Sequence, residues 1–245
     1  MTTSTAEPTY LPPARSRLAR AAHWIRRHWL LTANLLLLAY TGLPWLAPVF
    51  MQLNWIGAAN LIYLLYSTQC HQLPERSFFL FGRQPMYALG DIQAVWRVTT
   101  NPLVLRQFIG NADLGWKVAW SDRMVSMYTG LLAAGLLYAA LRRQLKPLPW
   151  WGFLLLALPM ALDGGTHLLS DLAGIGHGFR DSNAWLAALT GNAWPAAFYA
   201  GDAFGSFNSG MRLMTGLLFA LGAVWFAYPH LEAQLTPPAG QELVR

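Results

Sequence analysis

The sequence predicts an all-α integral membrane protein, a bundle of five transmembrane helices with a long loop after the second. Three observations carry that reading. The 245 residues are 55% hydrophobic and 11% charged, against about 25% charged in a soluble domain. No charged side chain occurs between Trp29 and Cys70. Twelve tryptophans are many for this length, and indole rings favour the boundary between lipid and water.

The segment 1–27 is polar, contains prolines and carries Arg15, Arg17, Arg20, Arg26 and Arg27; it is expected to be a disordered basic tail. No cleavable leader is expected, because the first apolar run begins near Trp29 and no small-x-small cleavage site follows it. A transmembrane helix needs about 20 mostly apolar residues. At about 1.5 Å per residue the run 29–70 is therefore long enough for two crossings. Pro44, Pro48, Gln52 and Asn54 interrupt it, which places spans near 29–47 and 55–69.

A third span, 124–141, ends in "RRQLK" (Arg142–Lys146). Trp150 and Trp151 open a fourth, 150–168, and a fifth covers 212–229. The membrane domain is then 28–232, followed by a C-terminal tail, 233–245. The uncharged segment 182–201 is long enough to cross, but "TGNAWP" breaks it in the middle. We read it as a membrane-surface loop with a short helix.

The formal charge of +6 does not indicate nucleic acid. The basic residues flank apolar runs and form no stripe interleaved with aromatics. A single cysteine excludes an intrachain disulfide and a Cys-rich zinc module, and says nothing about redox compartment. With five spans, Arg76, Arg83, Lys117 and Arg123 fall on the side of the N-terminal arginines, opposite Arg142, Arg143, Lys146 and Arg245. The positive-inside rule then puts the N-terminus, and the Cys70 segment with it, in the cytoplasm of a cell-membrane protein.

The same count brings four polar clusters to one membrane face. "CHQLPERS" (Cys70–Ser77) ends span two, "SDRM" (Ser121–Met124) begins span three, "LDGGTH" (Leu162–His167) ends span four, and "NSGMRLMTG" (Asn208–Gly216) begins span five. Asp163 and His167 lie four apart, on one face of an otherwise apolar helix, as do Asn208 and Arg212. Ionisable groups at that depth are expensive and normally face the bundle interior, paired. Asp163 is expected to pair with Arg123 or Arg212. Taken singly, each residue has a blander reading: a headgroup anchor for Arg123, a solvated turn for Glu75 and Arg76, an inert thiol for Cys70. Their convergence makes the candidate binding set Cys70, His71, Gln72, Glu75, Arg76, Ser77, Arg123, Tyr128, Asp163, Thr166, His167, Asn208 and Arg212.

"CHQLPERSFFLFG", a later "DR" followed by "YTG", then "PMALDGGTH" and "N…R…TG", in that order, resemble a prokaryotic membrane family catalogued as domain of unknown function 2085. The similarity runs over about Leu61–Phe226. The family's usual C-x-R-C-x-G-I-Y-x-G reads here as "SDRMVSMYTG" (Ser121–Gly130): Arg123, Tyr128 and Gly130 match, while Ser121 and Met124 replace both cysteines. The family's DG-x-TQ carries His167 in place of glutamine. In a full-pattern member the resemblance implies a Cys₃His zinc set; in this chain Cys70, His71 and His167 (or Asp163) are only weak metal candidates. No cofactor is expected. Segments 83–120 and 182–201 read as elaborations that cover the polar face or meet a partner.

The first function reading is a non-catalytic membrane protein, an accessory or assembly subunit or a small-ligand binder, whose partners are the bilayer and other membrane proteins. An ion or small-solute transporter is the alternative. Against it, the spans offer little polarity beyond Ser126, Tyr128 and Thr215, and no inverted repeat is visible. A membrane-embedded metal or redox enzyme comes third: no HExxH, GxSxG or Ser-x-x-Lys pattern occurs.

Overall fold

The computed structural model describes residues 17–235; the expectations for 1–16 and 236–245, Arg245 included, lie outside them. In chain order the helices are α1 (Arg17–Arg27), α2 (Trp29–Gln52), α3 (Ile56–Tyr66), α4 (Leu89–Val95), α5 (Pro102–Leu105), α6 (Asp122–Leu141), α7 (Trp150–Asp171), α8 (Phe179–Ser182), α9 (Ala184–Leu189), α10 (Ala196–Tyr199) and α11 (Phe207–Leu235). Three strands, β1 (Ser77–Leu80), β2 (Gly110–Asn111) and β3 (Gly115–Ser121), form an antiparallel sheet in the order β1-β3-β2. The all-α expectation is corrected to a helical bundle capped by a small sheet.

Among the described residues four helices are long and apolar enough to cross a membrane: α2, α6, α7 and α11. The helix in place of the expected second span, α3, has 11 residues, about 16 Å against a hydrocarbon core of about 30 Å. The long uncharged run is thus divided unequally. Helix α2 passes through both Pro44 and Pro48 to Gln52, a course that membrane helices tolerate where neighbours absorb the freed backbone groups. The chain then reverses at Asn54, in the left-handed region with φ 63°. The first span therefore ends later than residue 47, and α7 and α11 run past their expected limits to Asp171 and Leu235.

Small residues set the helix crossings, as they must where lipid offers no hydrophobic drive between helices. Helices α6 and α11 lie side by side and parallel. A methyl group on Gly130 would meet Ala220 Cβ, and one on Gly216 would collide with Ser126 Oγ. Helix α7 returns antiparallel, with Phe153 against Phe219 and Phe226 and Gly222 facing Leu156. Helix α2 is antiparallel to α6. Trp29 packs beside Tyr138, Val224 and Tyr228, and Tyr40 reaches Tyr128 at the other end.

These contacts correct a topological expectation. The start of α2 lies with the ends of α6 and α11, whereas Cys70 lies beside Ser121, at the start of α6. Arg26 and Arg27, just before α2, and the Cys70 segment are thus at opposite ends of the bundle. The cause is α3, which turns back alongside the upper part of α2 and never traverses the bundle. Of the expected tail, residues 17–27 form helix α1, none of whose residues is buried.

The site end is capped by the sheet. Its central strand, β3, is buried on both faces and runs into α6, with Lys117, Val118, Ala119 and Trp120 all 0% exposed. Trp120 stacks on Tyr128 at 4.7 Å and meets Tyr40 and Tyr66 edge-on. The segment 182–201 contains α9 and α10, six and four residues long.

Candidate functional site

The polar side chains at this end form one ionic network. Arg76, on the turn before β1, forks onto both oxygens of Asp171 at 2.7 Å and places Nε 2.8 Å from Asp202. Arg212, one turn into α11, donates Nε to Asp122 at 2.7 Å, Nη1 to the Asp202 carboxylate and Nη2 to the Asp202 carbonyl at 2.8 Å. Asp163 on α7 receives Arg123 on one oxygen and Arg180 on the other, each at 2.7 Å. His167, one turn on, sets Nδ1 against the Asp163 carbonyl at 3.0 Å and Nε2 3.7 Å from Asp202.

Four arginines and four aspartates balance, which is what a buried cluster requires, since an unpaired charge at this depth costs several kcal/mol. Asp163 pairs with Arg123 and also with Arg180, while Arg212 takes Asp122 and Asp202 instead. Burial alone would raise the Asp202 carboxyl, but Arg76 and Arg212 hold it well below the usual carboxylate range.

A cavity of about 230 Å³ opens beside the network. Of the sequence-predicted residues, Cys70, His71, Arg76, Arg123, His167 and Arg212 line it, together with Ser121, Met124 and Asp171. The others, Glu75 excepted, have structural partners. Gln72 Nε2 donates to the carbonyls of Tyr63 and Ala119; Ser77 Oγ donates to the Leu73 carbonyl. Tyr128 belongs to the Trp120 aromatic cluster. Asn208 gathers the 179–206 loop: its Oδ1 accepts from Arg180 and Asn183, and its Nδ2 donates to the carbonyls of Arg180 and Gly201. Thr166 Oγ1 accepts from Arg180 Nη1 at 3.2 Å.

Glu75 stands apart. It is 1% exposed, and neither carboxylate oxygen has a hydrogen-bond partner among the described residues. Burial pushes its carboxyl up to about 7. Lys117, on β3, donates Nζ to the carbonyls of Gln72 and Arg106 at 2.7 Å, and burial draws its ammonium down to about 7.

The residues do not suit the zinc set implied by full-pattern relatives. Cys70 Sγ accepts the backbone N–H groups of Gln72 and Ser121 at 3.4 and 3.3 Å and lies 3.5 Å from Ser121 Oγ. Both ring nitrogens of His167 are turned into the ionic network. Ser121 and Met124 do sit on the cavity wall with Cys70 and His71, so the positions that carry cysteine in such relatives share one wall here.

Four network residues, Asp171, Asp122, Arg180 and Asp202, and the buried Lys117 beside them are absent from the sequence-derived set. Asp171 has a signal, lying one helical turn beyond His167 in the series 163, 167, 171, but the expected span ends at 168. Asp122 was adjacent to Arg123. Arg180 and Asp202 lie between the expected fourth and fifth spans, just outside the segment 182–201, and Lys117 lies in the elaboration 83–120, where a charge carries no burial signal.

Comparison with known proteins agrees with the resemblance in the motifs. The family described as predicted membrane protein, domain of unknown function 2085, matches residues 113–200. An uncharacterised protein of Methanocaldococcus jannaschii is 26% identical over 174 residues, covering 68% of this chain and 85% of the relative. No solved structure matches the chain.

Proposed function

We propose that this membrane protein is a non-catalytic small-ligand binder or accessory subunit, whose ligand occupies the cavity between the Cys70 turn, α6, α7 and α11. The observation that carries the reading is the cavity itself: charged and hydrogen-bonding side chains from four separated segments line it, on a scaffold of long apolar helices. A charge-balanced ionic network behind it fixes those side chains, so the site is formed before any ligand arrives.

The membrane topology proposed with it has four crossings rather than five. Arg26, Arg27, Arg142, Arg143 and Lys146 then gather at the end where α2 begins, in short segments, and the positive-inside rule makes that end cytoplasmic. The N-terminus stays cytoplasmic, as the sequence suggested, and the cavity faces the opposite side of the cell membrane. The transporter reading has less support. Below the cavity, Thr129 and Thr215 donate to carbonyls of their own helices, and Gly130 closes on Ala220; side-chain hydrogen bonding between α6 and α11 resumes at Tyr138 and Glu232, near the other end.

The binding reading is tested with the full chain in lipid nanodiscs by native mass spectrometry, comparing wild type with Met124→Trp, whose indole fills the cavity. A small-molecule adduct present on the wild type and absent from the variant is the expected result. Equal adducts on both proteins, or none on either, contradict it.

A further inference from the structure

The wall of the cavity is asymmetric in charge. Arg76, Arg123 and Arg212 line it, and among the lining residues Asp171 alone is acidic. The carboxylates that neutralise Arg123 and Arg212, those of Asp163, Asp122 and Asp202, stand behind the wall. Both Asp171 oxygens are already occupied by the Arg76 fork. The cavity therefore meets the cationic ends of ion pairs whose anionic ends point away.

Hydrogen-bond supply is uneven in the same direction. Arg212 spends Nε, Nη1 and Nη2 on Asp122 and Asp202. Arg123 donates one side-chain hydrogen bond, from Nη2 to Asp163, and its Nε is buried with no partner among the described residues. Its guanidinium approaches α7 closely where residue 164 is glycine; a methyl group there would come within 2.8 Å of Nη1. A guanidinium with most of its fork unspent, on a wall rich in donors and poor in acceptors, suits an anionic oxygen group. Leu73, Met124 and Leu168 supply apolar lining, and Leu168 is 63% exposed on α7.

We propose that the cavity binds the carboxylate or phosphate group of a small amphiphilic anion, with Arg123 as its principal contact. This rests on the ligand-binding reading above and adds the chemical class. The anion is either a free solute or the headgroup of a membrane lipid, and the two sources are separable.

The full chain in phosphatidylcholine nanodiscs is titrated with propionate, inorganic phosphate and the neutral isostere propionamide. In parallel, discs doped with phosphatidylglycerol are read by native mass spectrometry for retained lipid. Propionate or phosphate binding in pure phosphatidylcholine assigns a free anion; retention of phosphatidylglycerol without solute binding assigns a headgroup. In either case Arg123→Gln and Arg123→Lys weaken binding at least tenfold, about the worth of one charge-assisted hydrogen bond. Arg123→Lys keeps the positive charge opposite Asp163, so its loss of binding is not a loss of fold, and exposed Arg83→Gln leaves binding unchanged. Propionamide binding as tightly as propionate, or anion binding unaltered in both Arg123 variants, overturns the proposal. A neutral or cationic adduct displaced by Met124→Trp overturns the anion assignment and leaves the binding reading standing; no binding of any probe and no adduct removes both.

Discussion

Asp163 holds two arginines at once, so replacing it by asparagine leaves the buried Arg180 and the half-buried Arg123 without that counter-charge. Asp163→Asn is expected to cost about 3–5 kcal/mol, the range for breaking a buried pair from one side. Glu75→Gln removes a buried carboxyl that has no hydrogen-bond partner among the described residues and is expected to cost about 0–1 kcal/mol. Thermal unfolding of both variants in one detergent decides it, and equal losses would contradict the network. Glu75 also makes a pH prediction. Its carboxyl binds its proton more tightly in the fold (about 7) than at its ordinary 4.5, so its contribution is fully present below about pH 4.5 and lost as pH rises through about 7. Lys117 does the reverse: its contribution is present above about 10.5 and lost as pH falls through about 7. The unfolding temperature of wild type relative to Glu75→Gln should therefore drop between pH 4.5 and 7 and stay level above; a difference constant with pH refutes the burial of Glu75. At this scale the sequence was informative where charge interrupts an apolar helix, as at Asp163 and Arg212. It was silent where the partner sits in a loop, as at Arg180 and Asp202, because nothing local marks a loop charge as buried.

Helix contacts were legible only in part. Runs of apolar residues of the right length located α6, α7 and α11, since a bilayer of fixed thickness imposes that length on any crossing helix. Inside the Trp29–Cys70 run the same rule misled. Length permitted two crossings, but whether a proline ends a helix depends on neighbours that supply packing and hydrogen bonds, which a single segment does not reveal. Strand β3 was missed for a related reason. Buried on both faces, "GWKVAWS" lacks the alternation that marks a half-exposed strand, and Lys117 within it reads as solvent-facing. The α6–α11 crossing offers a direct test of close approach. Gly216→Val sets a branched side chain against Ser126 and the α6 backbone and should cost about 1–3 kcal/mol by overpacking. Gly165→Val, at a position with nothing within 4 Å of an added methyl, should cost less in the same thermal scan; equal costs would mean the helices are not in tight contact at Gly216.

For the whole molecule, the account turns on which end of the bundle carries what. Four apolar helices put the α2 start, the α6–α7 loop and the α11 end together, and put the Cys70 turn, the sheet and the 179–206 loop at the other end. A cavity walled by arginines then lies at the end away from the start of α2, a placement that a second crossing between Trp29 and Cys70 would reverse. Accessibility labelling in intact cells reads this directly. In a Cys70→Ser background, Arg83→Cys and Arg143→Cys are each challenged with a membrane-impermeant maleimide before and after lysis. The account predicts that Arg83→Cys is labelled in intact cells and Arg143→Cys only after lysis; labelling of both from the same side would contradict it.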